Sequence, residues 1–245
     1  LYDRIDAIES FAADVSHELK NPLTSLRSAV ETLPLAKTPE SQKRLMDIIQ
    51  HDVRRLDRLI SDISDASRLD AELARSDAKP VDLEILLSSL VDISREIRHG
   101  KKAVQIDYVI DQKPGSKQGF IVNGHDLRLG QIVTNLIENA RSFVPEEGGC
   151  ITVRLSRTRT RCLIQVEDNG PGIQAEDIDR IFERFYTDRP EGESFGQNSG
   201  LGLSISRQIA EAHSGTLRAE NVFDNTRGRI TGARFVLSLP VEAGT

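Results

Sequence analysis

Residues 151–173 read ITVRLSRTRTRCLIQVEDNGPGI, and this stretch distinguishes between the fold classes that the C-terminal part of the chain allows. Two short β-type runs, Ile151 to Ser156 and Cys162 to Glu167, are separated only by the turn Arg157 to Arg161. Strands joined by so short a turn must be antiparallel. Because strands and helices interleave here, the sequence predicts an α+β layer sandwich and not a doubly wound parallel sheet.

The other predicted elements continue this mixed pattern on both sides of the hairpin. The remaining predicted strands are Val104 to Val109, Phe120 to Asn123 and Ala233 to Leu239, and the predicted helices are Leu83 to Arg98, His125 to Phe143, Ala175 to Ile181 and Gly202 to Ala212. Residues Ala71 to Lys79 are polar and precede Pro80, so we place a domain boundary near residue 78. The predicted domains are 1–77 and 78–245.

The N-terminal part has the apolar periodicity of two helices. The first run is Leu1, Ile5, Ile8, Ala12, Val15 and Leu19, and the second is Ile49, Val53, Leu56, Ile60 and Ile63. Between them, Pro34 to Pro39 supply a turn, which predicts a helical hairpin. The first run slips by one residue beside Pro22, where proline cannot donate to the carbonyl of Glu18, so we expect a bend. A single hairpin is thin, and two would bury far more as a four-helix bundle, which predicts a homodimer.

Composition excludes several classes of protein. The 245 residues include 32 Lys and Arg and 38 Asp and Glu, giving a formal net charge of -6, which argues against a general nucleic-acid binder. No apolar run approaches the ~18 residues of a membrane span, and the charged N-terminus does not resemble a signal peptide. Cys150 and Cys162 fit neither a zinc site nor a disulfide framework, which predicts reduced packing residues and a cytosolic compartment.

The segment SHELKNP, residues 16–22, places a histidine on the solvent side of the first helix. An exposed imidazole is mostly neutral at pH 7 and can attack phosphorus, and the adjacent Glu18 can orient the ring of His17 or accept its proton. Asn21 lies one turn further along the same face. Taken alone, an ordinary surface His-Glu pair is the more common explanation. The residue four positions after His17 is asparagine, so this is not a zinc helix.

Two asparagines fall on the apolar side of the helix predicted around Leu136. Asn139 lies inside the apolar stripe, and Asn135 precedes it by one turn. A buried amide needs a partner, and amide oxygens are suitable ligands for Mg²⁺, which proteins usually hold with one or two groups plus substrate phosphates. Asn139 as a metal ligand therefore explains the placement. A core or capping asparagine with its hydrogen bonds satisfied is the alternative.

Two glycine-rich segments follow. In DNGPGI, residues 168–173, Gly170 and Gly172 allow a nucleotide to approach the backbone, and Asp168 can accept a hydrogen bond from an exocyclic amine such as that of adenine. A simple turn is the alternative. In NSGLGL, residues 198–203, glycines at a helix N-terminus present free backbone N–H groups to phosphate.

Together these segments resemble the cytoplasmic kinase core of bacterial sensor histidine kinases of two-component systems. The resemblance covers essentially the whole chain, with its motifs in the order of that family. The motifs are the phosphoacceptor segment His17 to Pro22, the N box Asn135 to Ala140, the first glycine box Asp168 to Gly172, the F box Phe182 to Phe185, the second glycine box Gly200 to Gly202 and a third glycine at Gly215. The flanking residues Glu9 to Val15 and Phe185 to Pro190 most resemble those of ChvG-type envelope sensors.

The resemblance implies a fold and an activity. The fold is a helical-hairpin dimerisation domain that forms a four-helix bundle in the dimer, followed by a Bergerat (GHKL-type) ATP-binding α/β sandwich. The activity is ATP-dependent autophosphorylation of His17, phosphoryl transfer to an aspartate of a response regulator, and phosphatase activity toward that regulator. The implied cofactors are ATP and Mg²⁺, the implied partners are a second copy and the regulator, and the implied location is the cytoplasmic portion of an inner-membrane protein.

The resemblance also implies roles for single residues. Glu18 is the proton acceptor, Asn21 positions water for dephosphorylation, Asn139 binds magnesium, Asn135 lies near the phosphates and Asp168 contacts adenine. The other implied nucleotide contacts are Gly170, Gly172, Gly200, Leu201 and Gly202. Thr187 to Ser199 resembles a mobile ATP lid.

One departure from the family pattern affects phosphate binding. The family often has lysine in the third position after the magnesium asparagine, and Ser142 stands there in this chain. Arg141 or the lid residue Arg189 could supply the missing contact.

Two other functions stay open: an ATPase or serine kinase of the same nucleotide fold in which His17 is incidental, and a catalytically silent dimeric scaffold. The presence of Glu18, Asn139 and Asp168 weighs against the scaffold.

Overall fold

The computed structural model describes residues 2–75, 78–96, 104–111, 119–174, 178–186, 199–224 and 228–241, with side chains from residue 12 to residue 68 in the first range. The chain divides into two compact units. The first contains Leu1–Arg68 and Arg184–Leu201, and the second contains Leu69–Glu183 and Gly202–Thr245. The predicted boundary near residue 78 stays a prediction.

The first unit is built on the predicted helical hairpin. Helix α1 spans Tyr2–Thr32, a 3-10 turn spans Leu33–Leu35, and helix α2 spans Pro39–Arg75. The start of α2 is fixed by Thr38, whose hydroxyl oxygen accepts a hydrogen bond from the Ser41 amide at 3.2 Å, with proline at the first helical position. Helix α1 continues through the buried Pro22, and the expected bend there stays a prediction.

The residues of α2 that are buried differ from those that the apolar run predicts. Leu59 is fully buried, and Asp52, a polar residue outside that run, is only 5% exposed. Val53 and Ile60, which belong to the run, are 43% and 55% exposed. The buried face of α2 within the hairpin therefore includes a carboxylate, and a second apolar stripe on the helix stays open in this chain.

The second unit is a sheet covered by helices. Its elements are β1 (Lys79–Asp82), α3 (Leu83–Glu96), β2 (Gln105–Asp111), β3 (Ile121–Gly124), α4 (Asp126–Phe143), β4 (Cys150–Arg157), β5 (Arg161–Asp168), a 3-10 turn (Arg180–Phe182), α5 (Gly202–Ala212), β6 (Thr216–Phe223) and β7 (Ile230–Pro240). The order in the five-stranded sheet is β2-β4-β5-β7-β6. Strands β2 and β4 are parallel, and the other neighbours in this sheet are antiparallel.

The core lies between this sheet and the helices α3, α4 and α5. Alternate residues of β4 and β5, such as Val153 and Ile164, are fully buried, as are Ile132 and Leu136 of α4. This period-2 burial on strands and helical burial on α4 is what an α/β sandwich requires. The predicted α+β sandwich with an antiparallel β4–β5 hairpin is confirmed.

Three details of the predicted elements need correction. The sequence pattern predicts neither β1 nor β6, and β1 contains Pro80, the proline that follows the polar stretch Ala71 to Lys79. Proline is tolerated there because β1 pairs with β3 alone, in a separate two-stranded sheet. The predicted helix Ala175 to Ile181 is represented by the 3-10 turn Arg180–Phe182, and residues 175–177 lie outside the described residues.

In the part of the chain that the structure describes, no helix is long and apolar enough to cross a membrane.

Candidate functional site

His17 and Asn21 are both exposed on α1, one helical turn apart, as the sequence predicts. The neighbouring hydroxyl groups are bonded within the helix. Ser16 donates to the Ala12 carbonyl at 2.7 Å, and Thr24 donates to the Lys20 carbonyl at 2.9 Å. The imidazole and the Asn21 amide are therefore presented to an incoming molecule on this turn, together with the exposed Lys20.

Glu18 faces the second helix of the hairpin. Its Oε2 accepts a hydrogen bond from Nη2 of Arg55 on α2 at 3.0 Å, and the two side chains are 26% and 21% exposed. Within residues 12–68 no hydrogen bond joins Glu18 to His17. The sequence prediction missed Arg55, because a contact across 37 positions depends on the register between α1 and α2.

Asp168 is buried at the end of β5. Its Oδ1 accepts hydrogen bonds from the Gly170 amide at 2.8 Å and the Ala233 amide at 3.3 Å. Burial raises the pKa of this carboxyl, and the two amides oppose that rise. Both hydrogen bonds end on the same oxygen, so the carboxylate is oriented with one oxygen committed to the backbone and the other available to accept a further donor.

Close packing explains the glycines that follow Asp168. A Cβ at Gly170 would lie 2.8 Å from Oδ1 of Asp168 and 2.9 Å from the Phe143 carbonyl, and Gly172 has a φ of +81°. Asn221 of β6 fixes this loop through two hydrogen bonds of 2.7 Å with the amide and carbonyl of Ile173. The glycines are thus needed by the fold itself, and their predicted contact with a nucleotide stays a prediction.

Helix α4 presents the two predicted asparagines differently. The Asn135 amide donates to the Gly202 carbonyl and to the Ser206 hydroxyl, both at 3.2 Å, so it joins α4 to the start of α5. Asn139 is half-buried, and its side chain makes no hydrogen bond with any residue that the structure describes. An amide oxygen in this setting is suited to a hard cation, since Mg²⁺ prefers oxygen ligands. No group of three or more His, Cys, Asp or Glu forms a metal site within the described ranges.

Arg141 does not replace the lysine that the family often carries at position 142. Its side chain is 7% exposed, and Nη2 donates to the Ser94 carbonyl of α3 at 2.8 Å. Ser142 donates to the Asn139 carbonyl at 2.7 Å. The Arg141 guanidinium is therefore held in the interior between α3 and α4, and of the two substitutes considered, Arg189 lies outside the described residues.

The second glycine box spans the division between the units. In the first unit, Gly200 has a φ of +75°, and a Cβ there would lie 2.7 Å from Cα of Phe185. Buried Ser199 donates to the Asp62 carboxylate, and its hydroxyl oxygen accepts from the Leu201 amide at 3.1 Å. In the second unit, Gly202 begins α5. The rest of the predicted lid, residues 187–198, lies outside the described residues.

The F box contributes an aromatic anchor to the second unit. Phe182 is buried and meets Phe235 edge to face, with ring centroids 6.3 Å apart. The Arg207 guanidinium of α5 stacks over the Phe182 ring at 3.7 Å. This cation–π contact ties the F box to the helix that the second glycine box opens.

Two protein families match the chain. The His Kinase A (phospho-acceptor) domain matches residues 7–72, and the histidine kinase-, DNA gyrase B-, and HSP90-like ATPase family matches residues 124–243. The first match contains the turn with His17, and the second contains α4, Asp168 and α5. An exposed histidine on a helical hairpin, followed by this ATPase sandwich, defines a protein-histidine kinase core.

Individual relatives indicate which type of histidine kinase the chain is. The chain is 80% identical to Sensor protein ChvG of Agrobacterium fabrum over 98% of its length, and 78% identical to Sensor protein ChvG of Rhizobium meliloti over 98%. It spans about two fifths of these relatives, 40% and 41% of their lengths. The chain belongs to the sensor histidine kinases and is of the ChvG type.

A solved structure shares the fold. The structure of histidine kinase ThkA in complex with response regulator protein TrrA matches with a TM-score of 0.69 and 23% identity, over 98% of this chain and 64% of that one. The helical hairpin followed by an α/β sandwich is therefore an arrangement known in histidine kinases.

Proposed function

We propose that this chain is the catalytic core of a sensor kinase that phosphorylates its own His17 from ATP and passes the phosphoryl group to an aspartate of a response regulator. The observation that carries the proposal is the exposed imidazole of His17 on α1, inside the matched phospho-acceptor domain. An exposed imidazole can reach a phosphate that a separate nucleotide-binding domain presents.

In the nucleotide-binding half, Asp168 would accept a hydrogen bond from the exocyclic amine of adenine. The two backbone amides that hold Oδ1 support this role, because they fix the carboxylate without a side-chain counter-ion. Asn139 would hold Mg²⁺ through its amide oxygen, and its lack of a partner among the described residues supports this. When bound, Mg²⁺ neutralises phosphate charge.

The phosphoryl transfer is a substitution at the γ-phosphorus. The imidazole of His17 forms a P–N bond, the bond from phosphorus to the β,γ-bridging oxygen breaks, and ADP leaves with that oxygen. The ring proton passes to a base, for which the adjacent Glu18 is the nearest carboxylate in sequence. In the second step an aspartate oxygen of the regulator replaces the histidine nitrogen on phosphorus.

Two partners complete the proposal. ThkA is bound to a response regulator in its solved complex, and an exposed His17 and Asn21 on one face fit the docking of such a protein here. The second partner is another copy of the chain. Exposed apolar residues on both helices of the hairpin form a stripe suited to a four-helix bundle; they are Leu23, Val30, Met46, Val53 and Ile60.

Because the chain spans about two fifths of its ChvG relatives, we propose that a sensing part and a membrane anchor belong to the rest of the protein. In this arrangement the chain is the cytoplasmic portion. A signal would then reach His17 through α1, whose N-terminal end begins the described chain.

The decisive test is incubation with γ-labelled ATP and Mg²⁺. A P–N bond is labile in acid and stable in alkali, so the label should be lost in acid, and His17→Gln should abolish it while ATP binding persists. His125→Gln is the matched control and should retain the label. Alkali-labile label, or label that persists in His17→Gln, would instead favour a serine kinase of the same nucleotide fold.

A further inference from the structure

The ion pair between Glu18 and Arg55 connects the two helices at the level of His17. Arg55 reaches from α2 and donates from Nη2 to Oε2 of Glu18 at 3.0 Å. Both side chains are largely shielded from water, so salt screens their interaction less than it screens a fully exposed pair. The carboxylate next to the phosphoacceptor is therefore held by a permanent cation.

This pairing affects the chemistry available to Glu18. A charge-assisted hydrogen bond from the Arg55 guanidinium occupies Oε2 of Glu18 and holds this carboxylate toward α2. In the described arrangement the same carboxylate makes no hydrogen bond with His17, although the two residues are neighbours on α1. Arg55 thus competes with His17 for the group that has to take the imidazole proton.

A second acceptor for Arg55 lies one turn away on its own helix. Asp52 is 5% exposed, its Oδ1 lies 3.4 Å from Nδ1 of His51, and its Oδ2 has no hydrogen-bond partner in the part of the chain described. The Nε of Arg55 is also buried and unpartnered there. Residues three positions apart on a helix are neighbours. A buried carboxylate oxygen and a buried guanidinium N–H are therefore both unpaired within reach of a rotamer change.

We propose that Arg55 is a positioning residue that withholds Glu18 from His17, and that Asp52 is the alternative acceptor to which Arg55 turns when Glu18 is released. With Arg55 on Glu18, proton transfer from the imidazole is slow. With Arg55 on Asp52, Glu18 is free to accept that proton. This rests on the proposed function, since it assigns a restraint to the same phosphoacceptor turn.

The test is autophosphorylation at saturating Mg²⁺ with five variants, where kcat is the first-order rate constant of His17 labelling at saturating ATP. Arg55→Gln removes the cation and should raise kcat roughly 3- to 10-fold, the range that corresponds to loss of one half-buried ion pair. The KM for ATP should not change, because Arg55 lies on the helical hairpin, whereas Asn139 and Asp168, the residues proposed to hold Mg²⁺ and adenine, lie in the second unit. Arg55→Lys keeps the cation and should stay near wild type. Asp52→Asn removes the alternative charge and should lower kcat by about 2- to 5-fold.

The double variant Glu18→Gln/Arg55→Gln separates restraint from a general structural effect. If Arg55 acts through Glu18, this double variant should be as slow as Glu18→Gln alone. A lower or unchanged kcat in folded Arg55→Gln would overturn the proposal. If Arg55→Gln does not fold, a kcat in Asp52→Asn at or above wild type would overturn it. Absence of label on wild-type His17 would overturn the proposed function as well, whereas a label that is insensitive to Arg55 and Asp52 would overturn only this inference.

Discussion

The Ala233 amide of β7 donates to Oδ1 of Asp168 on the neighbouring strand β5 at 3.3 Å. A Cβ at position 232, directly before this amide, would collide with the Asp168 carbonyl. The approach of the two backbones therefore depends on Gly232, a residue outside the recognised motifs. Because Gly232 has no side chain, the Ala233 amide can reach Oδ1 and orient the Asp168 carboxylate without a bound nucleotide.

Asp168→Asn should weaken ATP binding without destabilising the fold. Asparagine keeps an oxygen for the Gly170 and Ala233 amides, but it can direct a donor at the adenine amine, and such a lost pair costs about 1 to 3 kcal/mol. Calorimetric titration with ATP measures the first effect. Equal ATP affinity in the variant and wild type would exclude the adenine role.

The stability effect follows from the sign of the Asp168 pKa shift. Burial raises the pKa of the folded state above that of the unfolded chain, so the fold favours the neutral acid. The stabilising contribution is present at low pH and is lost as the pH rises through the folded-state pKa. At pH 7 Asp168→Asn should therefore unfold in urea at the same or a higher midpoint than wild type, and ATP binding by wild type should weaken as the pH falls toward that pKa.

Ser142→Lys should tighten ATP binding. Arg141 is committed to the Ser94 carbonyl, so no cation on this turn of α4 is free for phosphate, and a lysine at position 142 would add one. We expect Kd to fall about 3- to 10-fold at low salt, with a smaller gain at high salt because of screening. Ser142→Gln has a similar length without the charge and is the matched control. An unchanged Kd in Ser142→Lys would show that position 142 does not face the phosphates.

The sequence predicted best where one local constraint was sufficient. The β4–β5 hairpin followed from its short turn, and α5 was placed correctly from Gly202 to Ala212. It failed where neighbours in space decide the structure. Strand β6 lies at the sheet edge and has few buried residues, so its pattern was too weak to find. Arg55 could not be assigned, because its contact with Glu18 depends on the register between two long helices.

Ile60→Asp should convert the proposed homodimer into a monomer. Ile60 is 55% exposed in one chain, and burying an unpaired carboxylate in a bundle interface costs several kcal/mol. Sedimentation at micromolar concentration should show roughly half the wild-type mass. Ile85→Asp on α3 is the matched control, since Ile85 is also exposed and lies in the second unit. A dimer in Ile60→Asp would place the interface on another face.

The turn after His17 is predicted to set the balance between autophosphorylation and a phosphatase activity toward the regulator. Asn21 is exposed one turn from His17, so its amide can orient a hydrolytic water at a docked aspartyl phosphate while the imidazole is unphosphorylated. Asn21→Ala should keep autophosphorylation and lose phosphatase activity toward the regulator. Pro22 leaves the Glu18 carbonyl without its usual amide donor, so Pro22→Ala should straighten α1 and change the ratio of the two activities. The measurements are initial rates of His17 labelling and of dephosphorylation of a purified phosphorylated regulator. Asn21→Ala that dephosphorylates the regulator as fast as wild type would exclude the role of Asn21.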